Sequence, residues 1–389
     1  MEGLFAYFNK LLRETNLDFR RYLNSKIDWN SRLIGLLGAR GVGKTTLVLQ
    51  HIKENLNPNE ALYVTAEDFY FAEHRLLDLA NDFSKMGGKY LFIDEIHKYK
   101  DWSKELKLIY DYHAELKVVF TGSSILDINK GASDLSRRAI MYQMYGLSFR
   151  EYLQLFHNIS APVFTLEEII SHKVEIPELK HPLPLFQSYL ANGYYPFAME
   201  NGYDFRLTQI LNQTLESDIP QYAGMNVATG RKLKQLLIIV AKSTPFKPNF
   251  SKIAQILEAS RNNLADYFLF IEEAGLIMQL RDETGGIRGL GKVEKVYLEN
   301  TNLIRNLAQE NANTGNIRET FFVNQTRVYS DVISSKTSDF LIDDMTFEIG
   351  GKNKTQKQIQ NTPKSFLVKD DIEHGYLNIV PLWQFGMGY

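Results

Sequence analysis

Three short runs of this 389-residue chain carry residue types at spacings that suit a phosphorylated compound. The first is Gly38-Ala-Arg40-Gly41-Val42-Gly43-Lys44-Thr45-Thr46. Glycines at these positions let backbone N–H groups turn inward around phosphate oxygens, and Lys44 adds a charge facing the β- and γ-phosphates. The Thr45 hydroxyl is placed to ligate Mg²⁺. The second run, Tyr90-Leu-Phe-Ile-Asp94-Glu95, ends an apolar stretch with two carboxylates. Asp94 suits the hydration shell of Mg²⁺, and Glu95 suits removal of a proton from an attacking water. The third, Phe120-Thr121-Gly122-Ser123-Ser124, sets polar residues, Ser123 among them, where a γ-phosphate would be sensed; a plain strand-ending turn is the alternative. Farther on, Arg137 and Arg138 in Leu135-Ser-Arg-Arg can neutralise transition-state charge in an adjacent subunit, or be a solvated basic pair.

A phosphate loop works only between a strand that delivers it and a helix that it opens. Apolar runs at Leu33–Leu37, Ala61–Val64, Tyr90–Ile93, Lys117–Phe120 and Ala139–Met144 alternate with helical patterns such as Lys44–Lys53 and Trp102–His113. Alternation of this kind predicts βαβ crossovers and a parallel sheet covered on both faces. Guanine recognition is disfavoured: Asn129-Lys130-Gly131 is followed by Ala132 instead of an aspartate, and position 97, where a D-x-x-G run would need glycine, is His. ATP is the expected nucleotide by this exclusion. Ahead of the sheet, Leu4, Phe5, Phe8, Leu11 and Leu12 fall on one helical stripe whose opposite face has no basic excess, which predicts a packed lead-in helix rather than a membrane-surface one.

Composition narrows the classes further. The formal charge is −2, so any nucleic-acid contact must come from a local patch. With no cysteine there can be no disulfide, thiolate metal site or cysteine nucleophile. No apolar run approaches bilayer length and no secretory leader pattern is seen, so a cytoplasmic protein without a membrane partner is expected.

Beyond the sheet, residues 147–227 read as short helices broken by prolines. Residues 228–300 read as three helices followed by a two-stranded ribbon, the plan of a winged helix. Its third helix, Arg261–Ala274, opens with Arg261, Asn262 and Asn263, which suit DNA contact, but Asp266, Glu272 and Glu273 oppose it. Eleven Lys/Arg against eight Asp/Glu over this segment is a thin surplus for a DNA reader, so a lid or protein-contact module stands beside the DNA reading. Residues 301–389 read as a helix at Arg318–Gln325 with short strands at Arg327–Ser330, Phe340–Ile342, Thr346–Ile349, Ser365–Val368 and Leu377–Ile379. Here Glu319, Asp339 and Glu348 imitate a metal-dependent nuclease, with Asp339 and Glu348 as a second candidate metal site. Position 350, where such a site wants a water-orienting lysine, is Gly. Lys352 and Lys354 would share the face of Glu348 only if the strand ran on through Gly350-Gly351, and a bulge or turn is expected there. A non-cleaving interaction module is therefore the expectation for the tail.

The phosphate loop, Phe92-Ile-Asp-Glu-Ile, Phe120-Thr-Gly-Ser-Ser, Leu135-Ser-Arg-Arg and Leu147-Ser-Phe-Arg-Glu-Tyr-Leu153 together resemble a large family of prokaryotic AAA-superfamily ATPases. Looser likeness runs on through Asn192-Gly-Tyr-Tyr-Pro196, Asp218-Ile219, Gly315-Asn-Ile-Arg-Glu-Thr-Phe-Phe and Pro381-Leu-Trp-Gln-Phe-Gly, nearly to the end of the chain. The resemblance implies an α/β P-loop core of the AAA type, a helical and winged-helix-like middle, and a C-terminal domain of unknown function similar to the restriction-endonuclease fold. The expected organisation is a helical lead-in (1–30), an ATPase core (31–146), a helical lid (147–227), a winged-helix-like domain (228–300) and an endonuclease-like domain (301–389). The expected function is Mg²⁺-dependent ATP binding and hydrolysis coupled to conformational change on DNA or a protein partner, with self-association in ATP. A slow nucleotide-dependent switch and an ATP-gated nuclease are the alternatives.

Overall fold

The computed structural model describes residues 1–122, 135, 137–225, 227–242, 249–282 and 292–389. The chain divides into two compact units, Met1–Gly146 and Leu147–Tyr389.

In the first unit the apolar runs form strands β1 (Leu33–Leu37), β2 (Ala61–Thr65), β3 (Tyr90–Asp94), β4 (Lys117–Gly122) and β5 (Ile140–Gln143). Their spatial order is β2-β3-β4-β1-β5, with every neighbouring pair parallel. All five residues of β1 are buried, as a strand covered on both faces requires. Helices α1 (Glu2–Glu14), α2 (Lys44–Asn55), α3 (Tyr70–Glu73), α4 (Leu76–Lys85) and α5 (Trp102–Tyr112) complete the unit. Leu4, Phe8 and Leu12 of α1 are buried, so the stripe packs inward. Register aligns Leu37 with Gly122 and Thr65 with Asp94, which brings the carboxyl ends of β1, β2, β3 and β4 to one edge of the sheet.

The second unit begins with α6 (Phe149–His157), opened by a capping box of Ser148 and Glu151. It continues through α7 (Leu166–Ile170), α8 (Pro182–Asn192), α9 (Tyr203–Gln213), α10 (Ile219–Ala223), α11 (Val227–Lys242), α12 (Phe250–Ile256) and α13 (Arg261–Glu273). An antiparallel pair follows, β6 (Ile277–Arg281) with β7 (Val293–Leu298); the glycines expected in its turn lie outside the described residues. After α14 (Thr301–Ala308) and α15 (Thr314–Thr326) comes a second five-stranded sheet of β8 (Val332–Ser334), β9 (Phe340–Ile342), β10 (Met345–Gly350), β11 (Ser365–Lys369) and β12 (Ile379–Pro381). β10, β11 and β12 are parallel to one another, and β8 and β9 are antiparallel to their neighbours.

Two expected strands differ. Residues 327–330 are a turn, because the amides of Arg327, Tyr329 and Ser330 bond back to Val323 and Thr326 carbonyls at the end of α15. The last strand starts at Ile379, since Leu377 holds a left-handed φ of 53° that no strand accommodates. One core also unites the segments expected as separate domains: Phe149, Phe186, Tyr297, Phe321, Phe347 and Trp383 belong to a single apolar cluster. No helix among the described residues is long and apolar enough to cross a membrane.

The packing of the lead-in onto α2 generates a pH effect. His51 of α2 is 7% exposed and its ring stacks on Trp29 with centroids 3.7 Å apart. The Asn55 amide nitrogen lies 3.4 Å from Nδ1. Burial pushes the His51 pKa down to about 4 from 6.5; the Glu54 carboxylate opposes this and Lys117 adds to it. The neutral ring is thus the folded form, so its contribution is complete above pH 6.5 and is lost as pH falls towards 4. His51→Gln should flatten the acid limb of stability, by about 2–3 kcal/mol between these limits. Urea unfolding at pH 7 and pH 4.5 checks this; equal losses in variant and parent would refute it.

Candidate functional site

β1 feeds directly into the phosphate loop. Gly41 (φ 87°) and Gly43 (φ 99°) take left-handed backbone that a side chain would strain, and Gly43 caps α2. This geometry and the helix N-terminus give the loop its anion-binding character. Val42 of the loop is buried, and Thr46 is exposed. Lys44 is 5% exposed, and its ammonium donates to the carbonyls of Gly38 (2.8 Å) and Ala39 (3.1 Å). Burial draws its pKa down, while Glu95 and Asp94 pull it back up.

Asp94, at the end of β3, joins four elements. Its Oδ2 accepts from the Thr45 hydroxyl of α2 (2.6 Å) and from the Tyr63 hydroxyl of β2 (2.6 Å). Its Oδ1 accepts from the Thr121 hydroxyl of β4. Burial and the Asp94 charge raise the Tyr63 pKa far above its ordinary value, so Tyr63 stays a donor. A buried carboxylate needs donors of this kind to remain charged. Glu95 follows in left-handed backbone (φ 51°), with its N–H 3.2 Å from both Asp94 Oδ1 and Thr121 Oγ1. Its Oε2 lies 3.4 Å from His97 Nε2 and 3.9 Å from the Arg40 guanidinium. Neither Tyr63 nor His97 was legible as a site residue, because each gains its role from a fold contact and not from a motif.

Arg21 is a further residue that no sequence pattern singles out. It is 5% exposed and donates to the Val42 carbonyl inside the loop, and to Tyr145 (2.7 Å) and Gly146 (2.9 Å). Gln50 of α2 likewise donates to Asn16 (2.8 Å) and Phe19 (2.9 Å), so the lead-in braces the loop and its helix from behind. Among the other expected residues, Ser123 and the Asn129–Ala132 run lie outside the described residues. Arg138 forms a two-pronged pair with Asp111 (3.1 Å each) and lies over the Tyr110 ring, so it is engaged within its own unit. Arg137 is exposed.

In the second unit, Glu319, Asp339 and Glu348 do come together, but with lysines between them. Lys295 of β7 lies 3.4 Å from Glu319 and 3.1 Å from Asp339, and Tyr297 donates to Glu319 (2.6 Å). Lys354 lies 2.6 Å from Glu348, whose other oxygen is buried. The chain turns after Gly350, and Lys354 folds back onto the strand rather than extending it. Burial raises the pKa of both Glu319 and Glu348; Asp339 adds to this, and the lysines oppose it. A cleft of about 530 Å³ opens beside Lys295, Asp339, Ser335 and Lys336. Among the described residues no three His, Cys, Asp or Glu side chains are arranged to hold a metal ion. Asp339 and Glu348, the expected metal pair, are each ion-paired with a lysine, Lys295 and Lys354 respectively.

A parallel sheet in the order β2-β3-β4-β1-β5, with a phosphate loop after β1 and an acidic pair ending β3, defines an AAA-like P-loop NTPase domain. Residues 30–153 match the family described as an AAA domain, and residues 183–314 match a domain of unknown function (DUF8612). Uncharacterized protein MJ1637 of Methanocaldococcus jannaschii is 26% identical over 300 residues, which cover 71% of this chain and 63% of the relative. The chain therefore spans less than two thirds of that relative's length. The Walker-type ATPase PABY2304 of Pyrococcus abyssi superposes with a TM-score of 0.46 at 12% identity, covering 75% of this chain and 96% of the other. AMPPCP-bound DnaA from Aquifex aeolicus gives 0.27 at 13% identity, covering 68% and 86%. The fold assignment rests on the strand order and the family match, not on these superpositions.

Proposed function

We propose that the first unit binds and hydrolyses ATP with Mg²⁺ and converts nucleotide state into conformational change that acts on DNA or a protein partner. The observation that carries this reading is the convergence of Lys44, Thr45, Asp94 and Glu95 at one edge of a parallel sheet. The Thr45 hydroxyl and the Asp94 carboxylate are hard oxygen donors 2.6 Å apart and would hold Mg²⁺, which when bound shields phosphate charge. Lys44 would exchange its two carbonyl partners for phosphate oxygens. Glu95, on a backbone conformation fixed by Thr121 and Asp94, would accept the proton of the attacking water. Strain held at such a residue is common where side-chain direction matters to chemistry.

Arg137, exposed and close in sequence to β5, is the arginine offered to a second copy in ATP. The exposed Arg261, Asn262 and Asn263 at the start of α13 are the surface offered to DNA. We place the protein in the cytoplasm. The lysine-paired cluster in the second unit supports an interaction module over a nuclease, because seated ammonium groups compete with a divalent ion for the same carboxylates.

Glu95→Gln should bind ATP and turn it over about 10²-fold more slowly or worse, since proton acceptance is lost while Thr45 and Asp94 remain. Equal steady-state turnover would remove Glu95 from the mechanism. Plasmid and single-stranded DNA incubated with the protein, ATP and Mg²⁺ or Mn²⁺ should stay intact. Cutting that vanishes in both Asp339→Ala and Glu348→Ala would instead establish the gated nuclease.

A further inference from the structure

The phosphate loop is anchored at both ends to one stretch of chain, residues 144–146, which follows β5. At the Gly38 end, the Met144 N–H donates to the Leu37 carbonyl (2.7 Å), and the Met144 carbonyl lies so close to Gly38 that a Cβ there would collide with it. At the Gly43 end the link is Arg21. Its Nη1 donates to the Val42 carbonyl, and its Nη2 donates to the carbonyls of Tyr145 (2.7 Å) and Gly146 (2.9 Å). A guanidinium suits this bridge because its terminal N–H groups diverge within one rigid plane. Arg21 is 5% exposed, so water is largely kept from these bonds and each is stronger than at a surface.

We propose that Arg21 is a positioning residue that aims the Gly43 N–H at bound phosphate. In a trans peptide the carbonyl and the N–H that follows it point in opposite directions. No peptide among the described residues is cis, so a Val42 carbonyl drawn to Arg21 turns the Gly43 N–H away from the lead-in, towards the concave side of the loop. Gly43 (φ 99°) has no side chain to hold that peptide plane, and glycine rotates more freely than any other residue. Without the guanidinium the Val42 carbonyl loses this donor, and the plane can swing its oxygen towards the phosphate site, where it repels an anion. Loop amides cradle the α- and β-phosphates, so the effect falls on ADP and ATP alike and not on the γ-phosphate. Arg21 in this role requires the loop to be the phosphate site of the ATPase reading, but it requires no hydrolysis.

The test is calorimetric titration of the full chain, as wild type, Arg21→Met and Arg21→Lys, with ADP, a non-hydrolysable ATP analogue and inorganic pyrophosphate, each with Mg²⁺. Arg21→Met should weaken all three by a common factor of about tenfold or more. Its kcat at saturating ATP should stay within about twofold of wild type, so that the loss appears in KM. Arg21→Lys keeps the charge without the planar fork and should recover part of the affinity. A lower melting temperature with unchanged affinities would make Arg21 a brace for residues 144–146 alone, and that overturns the proposal. A loss for ADP that pyrophosphate does not share also overturns it, because the effect then lies at the nucleoside. Should Arg21→Met fail to fold, ¹⁵N-labelled wild type decides: the Gly43 amide proton moves downfield with Mg²⁺ and pyrophosphate, and a Gly43 amide that does not respond overturns the proposal. Failure of the ATPase reading looks different, since wild type then binds none of the three.

Discussion

One buried carboxylate organises the first unit. Asp94 draws hydroxyl donors from the phosphate-loop helix, from β2 and from β4, which between them satisfy both of its oxygens. The strand order makes this arrangement available, because β3 lies between β2 and β4 and its carboxyl end is flanked on both sides. Register then sets Thr65 opposite Asp94 and Phe120 opposite Ile93, so Thr121 follows at the height needed to reach both Asp94 and the Glu95 amide. Fixing Asp94 thus fixes the loop, the Glu95 backbone and the edge of the sheet together. Arg21 and Gln50 complete the constraint from the far side, and they link the loop to residues more than a hundred positions away and to the lead-in.

Local motifs were the legible part of this centre. The loop, Asp94 and Glu95 declare themselves because neighbours in sequence are neighbours in space at a strand–turn–helix junction, and the strand runs stood out because buried parallel strands are continuously apolar. Tyr63, His97 and Arg21 carry no motif; their roles come from pairings across strands or over long sequence separations. Arg138 illustrates the reverse case, since a suggestive basic pair is half consumed by Asp111 on the neighbouring helix. In the tail, glycine at position 350 correctly marked the end of a strand, yet Lys354 returns to Glu348 through the turn that follows, a path that face alternation along a strand does not describe.

The second unit brings residues from segments expected as separate domains into one apolar cluster. Its helices and short strands read as three domains because prolines and glycine-rich turns separate them in sequence. In space, aromatic side chains from α6, α8, β7, α15 and the second sheet fill one core, with Phe321 against Phe186 and Phe322 against Phe347. Lys295 is the polar counterpart of that cluster: it stands on the antiparallel ribbon and pairs with carboxylates from α15 and from just before β9. Removing Lys295 would strip both Glu319 and Asp339 of this cation, so it ties ribbon, helix and sheet together.

The central claim is that the sheet edge holding Asp94 is where a nucleoside triphosphate is bound. A crystal structure of the full chain with Mg²⁺ and a non-hydrolysable ATP analogue tests it most directly. The account predicts phosphates within the Gly38–Thr45 loop, with the Lys44 ammonium moved from the Gly38 and Ala39 carbonyls to phosphate oxygens and the Thr45–Asp94 hydrogen bond replaced by shared contact to the ion. An analogue bound elsewhere, or a loop occupied with Lys44 still on those carbonyls, would contradict it.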